Sequence, residues 1–418
     1  MLPSDPDALI IGAGCAGIAA ARALMARGKT CVVLEAGPRI GGRTFTDRTR
    51  LDVPVDLGAT WLHLADENPL TAFATSLGFE TLDHDTVRQR LLHLGDRFAT
   101  AEERRGFSQA EDAFDDAVLR AASEPGPDRS VAEVVPRGGF WDASVAHWQG
   151  AQISAAEVEK LSLRDYAGSL LGGPNLRLRA GLGALVERLA EDLPIRTGAK
   201  VTRLRWGGPD VVAEGDFGTL RASAVIVTVS TAVLAAGGIL FDPPLPPETQ
   251  DAMQNLPLGL LTKIVFRASG EDRLDLPPFA SLRRRVTGPG DRPISWIGWP
   301  FGAPVLECFI GGALAWELSR QGAAATEDHV RAELTRIYGA RAAAVLGSAI
   351  ISDWGENPCF GGSYTHARPG YADARAVLAD PLGGGRLSFA GEACDRRLAG
   401  TVAGAWNSGV RAAAAIAG

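Results

Sequence analysis

The feature that most constrains the fold is a glycine-rich turn between an apolar strand and an alanine-rich helix near the N-terminus. Residues 8–11 are β-prone, residues 12–17 read Gly-Ala-Gly-Cys-Ala-Gly, residues 16–27 favour a helix, and residues 30–34 are again β-prone. Strand, helix and strand in this order predict a βαβ unit. Such units are the building blocks of doubly wound α/β folds.

The glycine turn also predicts a bound dinucleotide. Gly12 permits a tight turn, Gly14 lets the backbone approach a pyrophosphate, and Gly17 brings helix and strand together. The helix N-terminus faces the anion, and Glu35 at the end of the second strand is placed to bind a ribose hydroxyl. From this motif alone, NAD and FAD are both open.

The composition bounds the class of protein. A chain of 418 residues, 46% hydrophobic and 22% charged, can bury a core spread over two or three structural domains. A net charge of −7 argues against sequence-independent binding of nucleic acid. The five cysteines form no CxxC pair, which favours a reducing cytoplasm and no structural metal. No signal peptide and no bilayer-length apolar run are visible, so we expect a cytoplasmic protein with no membrane partner.

Beyond the first βαβ unit, the pattern predicts both helical and mixed regions. Residues 69–125 are expected to be mostly helical, with one long helix over 101–122. A helix over 326–338 is predicted to begin with Thr326 as its N-cap. The other predicted elements are a helix over 182–190, strands over 195–197, 200–206, 225–229, 262–266 and 386–389, and an alanine-rich C-terminal helix.

The segment after Glu35 decides between the two dinucleotides. Residues 35–43 read Glu-Ala-Gly-Pro-Arg-Ile-Gly-Gly-Arg and resemble the flavin-containing amine oxidase family, in which the glycine pair and its arginine lie near the FAD phosphates. Two glycines expose backbone N–H groups, and an arginine fork suits phosphate oxygens. The cofactor contacts expected in this part of the chain are Gly12, Gly14, Ala16, Gly17, Glu35, Ala36, Arg39, Gly41, Gly42 and Arg43.

Four further segments extend the resemblance. Residues 56–63 read Asp-Leu-Gly-Ala-Thr-Trp-Leu-His and are most similar to the stretch beside the flavin ring in animal polyamine and spermine oxidases. Residues 198–201, 354–364 and 389–409 resemble segments of the family that contact the adenine and the flavin. The resemblance therefore implies further FAD contacts at Gly58, Ala59, Thr60, Trp61, Val201, Trp354, Gly391, Glu392, Thr401 and Val402.

The same resemblance suggests four catalytic residues, Lys263, Tyr364, His63 and Thr401. Lys263 is one of four lysines and lies in an apolar strand, where the family's lysine contacts flavin N5 through a water; the alternative is a strand-edge lysine that reaches solvent. Tyr364 matches an aromatic wall that attracts amines. Thr401 stands near a helix N-terminus at the flavin pyrimidine. His63 either faces the substrate or is a hydrogen-bonded structural histidine.

One departure from the family concerns how the cofactor is attached. In the monoamine oxidases the residue before the tyrosine is a cysteine that bonds covalently to the flavin. Here that residue is Ser363. The sequence therefore predicts a noncovalent FAD.

Taken together, the resemblance implies an α/β protein with a Rossmann-like FAD-binding domain and an interleaved α+β substrate-binding domain. The first comprises 1–68, 176–240 and 351–418, and the second comprises 69–175 and 241–350. The implied reaction is hydride transfer from the carbon next to an amine to flavin N5, giving an imine that hydrolyses, with O₂ as acceptor. A polyamine or other aliphatic amine is the first substrate class; aryl-alkyl or nicotine-like amines and L-amino acids are alternatives. An FAD-bound scaffold without turnover is the alternative outside enzymes.

Overall fold

Twenty strands and fourteen α-helices are present in residues 5–417, the part of the chain that the computed structural model describes. The strands are β1 (Ala8–Ile11), β2 (Cys31–Leu34), β3 (Thr46–Asp47), β4 (Val55–Asp56), β5 (Trp61–Leu62), β6 (Thr81–Asp83), β7 (Gln89–His93), β8 (Leu176–Leu178), β9 (Ile195–Arg196), β10 (Val201–Arg205), β11 (Val211–Gly215), β12 (Gly218–Ala222), β13 (Ala224–Val227), β14 (Leu240–Asp242), β15 (Leu261–Ala268), β16 (Ala280–Arg284), β17 (Ser295–Gly298), β18 (Val305–Gly311), β19 (Leu346–Ile351) and β20 (Leu387–Phe389).

The α-helices are α1 (Cys15–Met25), α2 (Pro69–Ser76), α3 (His84–Val87), α4 (Ala101–Ser123), α5 (Asp142–His147), α6 (Leu163–Gly168), α7 (Leu182–Leu189), α8 (Thr231–Ala235), α9 (Pro247–Gln254), α10 (Gly312–Gln321), α11 (Ala323–Tyr338), α12 (Ala340–Val345), α13 (Ala374–Ala379) and α14 (Val402–Ala417). A π-helix spans Trp148–Ser154, directly after α5. None of the described helices is both long and apolar enough to cross a bilayer.

The predicted βαβ unit forms the centre of a parallel sheet. The strand order is β20-β13-β1-β2-β9, and all four pairings are parallel. The strands β1, β2, β13 and β20 are buried along their whole length, which explains why they are apolar throughout except for Ser388 in β20. On one face, α1 and α14 approach so closely that a Cβ at Gly409 would lie 2.1 Å from the carbonyl oxygen of Ala16.

A second large sheet has six strands in the order β19-β15-β18-β17-β16-β7. Its pairs are antiparallel except β7 with β16, which run parallel. The helices α10, α11 and α12 pack on it through an apolar cluster that includes Leu314, Val330 and Ala342. The predicted fold class, a Rossmann-like domain with an interleaved α+β part, is confirmed. The domain boundaries stay a prediction.

One local prediction is incomplete and another is wrong. Residues 69–125 are mostly helical, as predicted, through α2, α3 and α4, but β6 and β7 also lie within them, and β7 exists by pairing with β16 about 190 residues away in sequence. Thr326 is not an N-cap, because α11 already begins at Ala323 after Gly322, whose φ of +99° separates it from α10. The Thr326 hydroxyl instead donates to the carbonyl of Gly322. The remaining predicted elements are present, with ends shifted by no more than two residues.

Candidate active site

A cavity of about 970 Å³ separates the carboxyl ends of the parallel strands from one face of the six-stranded sheet. Ile11 and Leu34, at the ends of β1 and β2, line one wall. Lys263 of β15 and Phe309 of β18 line the other. Ligands of open parallel sheets bind at this edge, so the topology points to the same cavity as the glycine motif.

The three motif glycines have different surroundings. A Cβ at Gly12, where φ is +106°, would lie 2.6 Å from Thr228 Oγ1, and one at Gly17 would lie 2.0 Å from the carbonyl oxygen of Gly12. Nothing lies within 4 Å of a Cβ at Gly14. The chain's own packing therefore requires Gly12 and Gly17, whereas Gly14 borders open space, as a glycine that admits a pyrophosphate would.

Glu35 is fixed by the backbone around it. Its Oε2 accepts a hydrogen bond of 2.8 Å from the N–H of Ala13, and its Oε1 accepts one of 2.7 Å from the N–H of Gly37. A carboxylate offers about four acceptor positions, so two stay available for the hydroxyls of a ribose. Ala36 and Val201 line the cavity beside it. This end of the cavity fits the adenosine half of a dinucleotide.

The arginine of the glycine pair reaches across the site. Arg43 Nη1 donates to the carbonyl of Ser363 at 2.6 Å and to Glu392 Oε1 at 3.0 Å. Burial would raise the pKa of Glu392, but Arg43, Arg375 and the Thr365 hydroxyl together hold that pKa below its usual value. Arg43 thus connects the N-terminal turn to the C-terminal segment, and its predicted phosphate contact stays a prediction.

Most of the residues predicted to bind the cofactor line the cavity. The exceptions are Gly17, which sits under the turn, and Arg39. The Arg39 guanidinium lies 4.3 Å from the centroid of the Phe45 ring and donates to the carbonyls of Ile40 and Gly42. Arg39 therefore stabilises the turn around Gly42 and does not face the cavity.

Lys263 is buried inside the sheet, not at an edge that reaches solvent. The residue is 5% exposed, and β15 lies between β19 and β18. Its Nζ donates to the carbonyls of Asp56, at 3.1 Å, and Gly58, at 2.6 Å, and also to the Thr60 hydroxyl. Burial lowers the pKa of Lys263 to about 8, against the opposing charges of Glu307 and Asp56. The strand-edge alternative is wrong.

Tyr364 and Thr401 occupy neighbouring parts of the cavity wall. The Tyr364 hydroxyl donates to the carbonyl of Ile153 at 2.6 Å, and burial raises its pKa. Thr401 precedes α14, and its Oγ1 accepts from the N–H of Gly404 at 3.0 Å. The predicted helix N-terminus at Thr401 is therefore present.

His63 combines the two alternatives raised from sequence. Its Nδ1 lies 2.6 Å from the Asn175 side-chain oxygen, which is an acceptor, so we assign the proton to Nδ1. Asn175 is held in turn by Asp85. His63 also lines the cavity, beside Trp61. Burial lowers the pKa of His63, so the ring facing the cavity is neutral at pH 7.

The geometry agrees with comparisons to known proteins. The family described as "Flavin containing amine oxidoreductase" matches residues 15–125 and 90–417. The chain belongs to this family. This amine oxidoreductase is 29% identical over 98% of its length to Polyamine oxidase 4 of Oryza sativa subsp. japonica, of which it covers 88%. It is 30% identical to Lysine-specific histone demethylase 1 homolog 1 of the same plant, covering 98% of this chain and 52% of that protein.

A solved structure has the same fold as this amine oxidoreductase. Cyclohexylamine Oxidase from Brevibacterium oxydans IH-35A matches with a TM-score of 0.79 over 99% of both chains, at 23% sequence identity. At that identity the match speaks for the fold. It agrees with an α/β molecule in which one cavity lies between two large sheets.

A buried ion pair next to Lys263 was not predicted. Arg177 donates to both oxygens of Glu307, at 3.0 and 2.7 Å, and both side chains are about 5% exposed or less. Glu307 favours the charged form of Lys263 and Arg177 opposes it, so the pair adjusts the charge of the lysine. The two residues are 130 apart in sequence and belong to no motif, so no local pattern could have joined them.

The far end of the amine oxidoreductase's cavity was also missed. Helix α4 contributes Glu111, Asp112 and Asp115 to the wall, and β16 contributes Arg283. The Oδ1 of Asp115 has no hydrogen-bond partner among residues 5–417, and burial together with the carboxylates of Glu111, Asp112 and Asp116 raises its pKa. An acidic helix is usually a solvated surface helix, so no local pattern selects these positions.

Proposed function

We propose that this protein is an FAD-dependent oxidase of aliphatic amines, with a noncovalent cofactor. The observation that carries the proposal is that a single cavity joins the turn around Gly14 and Glu35 to Lys263 and Tyr364. A dinucleotide bound at the turn has room to extend toward the lysine and the tyrosine. Ser363, whose hydroxyl bonds the backbone of Leu261 in both directions, offers no thiol for attachment.

Bound FAD would accept a hydride from the carbon next to the amine nitrogen. The chain's own part is to bind, orient and exclude water. Tyr364 gives the amine an aromatic surface, and its hydroxyl is anchored on Ile153. Lys263 holds a proton at Nζ that it can exchange near neutral pH, because its pKa is about 8. The N-terminus of α14, capped by Thr401, offers a positive dipole end for negative charge.

Among the aliphatic amines, we propose polyamines as the first substrate class to be tested. Curated relatives at about 29% identity are named polyamine oxidases. The carboxylates of Asp112 and Asp115 at the far end of the cavity suit a second ammonium group of a long substrate. O₂ is the proposed acceptor of the electrons.

Anaerobic mixing tests the proposal. The purified protein is first denatured, and all of its flavin is expected in the supernatant as FAD, since no covalent bond holds it. The native protein is then mixed without oxygen with spermine, spermidine, aliphatic monoamines, aryl-alkyl amines and L-amino acids. Loss of the yellow absorbance reports hydride transfer, and admission of O₂ should restore it with release of peroxide. If no amine bleaches the flavin, the scaffold alternative replaces the oxidase.

A further inference from the structure

Four residues form a row across the six-stranded sheet. Lys263 pairs with Phe309, Phe309 with Ser295, and Ser295 with Arg283, each on the neighbouring strand. All four line the cavity. Because neighbouring strands are about 4.8 Å apart, the backbones of Lys263 and Arg283 lie roughly 14 Å apart. An extended substrate with its reacting amine near Lys263 can therefore point its other end toward Arg283.

Arg283 is built into the wall but is left with free donors. Its guanidinium lies 3.2 Å from the ring centroid of Trp148, and its side chain is 11% exposed. Nη1 donates to Glu111 Oε1 at 3.1 Å, and the other N–H groups find no hydrogen-bond acceptor within residues 5–417. Stacking covers one face of the guanidinium, so its free donors lie at the edge of the plane. That edge is the fork that binds a carboxylate with two parallel hydrogen bonds.

Three arginines at this place share two carboxylates in ion pairs. Glu111 is shared between Arg283 and Arg90, whose Nη1 lies 3.6 Å from it, while Arg88 pairs with Asp85 at 3.3 Å. Asp112 and Asp115 of α4 line the same end of the cavity and make no ion pair with these guanidinium groups within residues 5–417. Burial lowers the pKa of Arg283, Glu111 opposes this, and Arg90 and Arg88 add to it. An anion bound at the free edge would relieve this cost.

We propose that Arg283 binds a carboxylate at the end of the substrate opposite the reacting amine. The substrate class is then an aliphatic amine, or a polyamine, that ends in a carboxylate. Asp112 and Asp115 accommodate any ammonium group between the two ends. This inference rests on the proposed amine oxidation for its reacting end, and on Arg283 alone for the other.

Three compounds of equal length separate the possibilities: the ω-amino acid aminooctanoate, its carboxylate-free analogue octylamine, and the diamine diaminooctane. Their dissociation constants are measured by calorimetry on the holoenzyme and from the concentration dependence of anaerobic flavin reduction. The wild type should bind aminooctanoate most tightly. Arg283→Gln should weaken the binding of aminooctanoate by about 10- to 100-fold and leave the dissociation constant of octylamine unchanged. Arg283→Lys keeps the charge without the fork, so its affinity for aminooctanoate should lie between those of the wild type and Arg283→Gln.

Arg285→Gln is the matched control. Arg285 stands two residues further along the chain and also stacks on an aromatic ring, with its guanidinium 3.7 Å from the centroid of Phe140, but it does not line the cavity. The Arg285→Gln variant should bind all three compounds as the wild type does. Equal or tighter binding of octylamine or diaminooctane by the wild type overturns the inference, and needs no variant to fold. An equal loss for all three compounds in Arg283→Gln overturns it as well.

The two proposals fail in different ways. If aminooctanoate binds tightly through Arg283 but neither it nor any amine bleaches the flavin, the anion site stands and the oxidase reaction falls. If amines bleach the flavin with no preference for the carboxylate, the oxidase reaction stands and the anion site falls.

Discussion

Burial inside β15 makes the charge of Lys263 depend on pH, and stability should follow. Folding lowers its pKa from the ordinary 10.5 to about 8, so between these values the unfolded chain binds more protons. The free energy of unfolding should therefore rise with pH across that window, by something on the order of 3 kcal/mol. Below the window both states hold the proton, and the cost of burying the charge is fully present.

Lys263→Met should lose this rise. Urea unfolding measured at several pH values from about 8 to 10.5 gives the difference from the wild type. Lys160→Met serves as the control, because that side chain is 57% exposed, and its curve should run parallel to the wild type. Parallel curves for Lys263→Met as well would mean that Lys263 keeps an ordinary pKa in the folded protein.

The same pKa should be visible in the reaction. The rate of anaerobic flavin reduction is expected to change around pH 8 as Lys263 loses its proton, and Lys263→Met should remove this inflection and slow the step by about 100-fold. Lys200→Met is the matched control, since Lys200 lines the cavity at the Glu35 end. A rate and a pH profile unaltered by Lys263→Met would remove the residue from the proposed mechanism.

Sequence could identify single residues only where the chemistry is local. Glu35 and Gly12 follow from the order strand, turn, helix and strand, and Lys263 follows from a cation in an apolar strand together with the resemblance to the family's lysine. Arg177 and Arg283 were beyond reach, because each is defined by a partner far away in the chain, at Glu307 and Glu111. The sequence around an arginine that lines the cavity does not differ from that around an exposed arginine, so only the fold distinguishes the two.

The βαβ turn allows the packing and binding roles of its glycines to be separated. At Gly17 an added Cβ would meet the Gly12 carbonyl oxygen at 2.0 Å, so Gly17→Ala must displace backbone and should cost about 1–3 kcal/mol of unfolding free energy. Gly14 has an ordinary φ of −75° and open space around it, so Gly14→Ala should leave the apoprotein's stability unchanged.

In cofactor binding the order should be reversed, with Gly14→Ala losing more FAD affinity than Gly17→Ala. Gly14→Ala puts a methyl group where the proposed pyrophosphate approaches, so its FAD dissociation constant should rise although the fold is intact. Urea unfolding of the apoproteins and fluorescence titration with FAD measure the two effects. Unaltered FAD affinity in Gly14→Ala would place the pyrophosphate elsewhere.

Helices and strands with local patterns were predictable, and those that depend on distant pairing were not. The helix α4 was predicted almost to the residue from its composition, and the structure adds a capping box of Thr100 and Glu103 at its start, which is also a local feature. The strand β7 was taken for part of a helical region, because only its pairing with β16 makes it a strand. The same limit applies to the site. Its cofactor end lies on the βαβ elements, whereas its substrate end depends on the pairing among β15, β18, β17 and β16.

Buried charges tie the parts of the molecule to one another around the cavity. Arg43 of the N-terminal turn bonds Glu392, and Glu392 accepts from the Thr365 hydroxyl at 2.6 Å. Arg375 donates to Thr365 at 2.7 Å and to both oxygens of Asp165 in α6, at 2.6 and 2.9 Å. This chain of contacts runs from the first βαβ unit, through the C-terminal segment, to the helical region. We therefore expect the described regions to unfold together.

Removing one member of the Arg375–Asp165 pair should be more damaging than removing both. Arg375 is 1% exposed, so Arg375→Met leaves the Asp165 carboxylate buried without its partner and should cost about 3–5 kcal/mol. The double variant with Asp165→Asn removes both charges and should recover part of that loss, and urea unfolding followed by tryptophan fluorescence measures the cycle. Arg396→Met breaks an exposed pair with Asp373, 62% and 82% exposed, and should change stability by less than about 0.5 kcal/mol. Strictly additive losses in the buried cycle would show that the two charges do not depend on each other, and separate transitions in fluorescence and flavin release would show that the regions unfold apart.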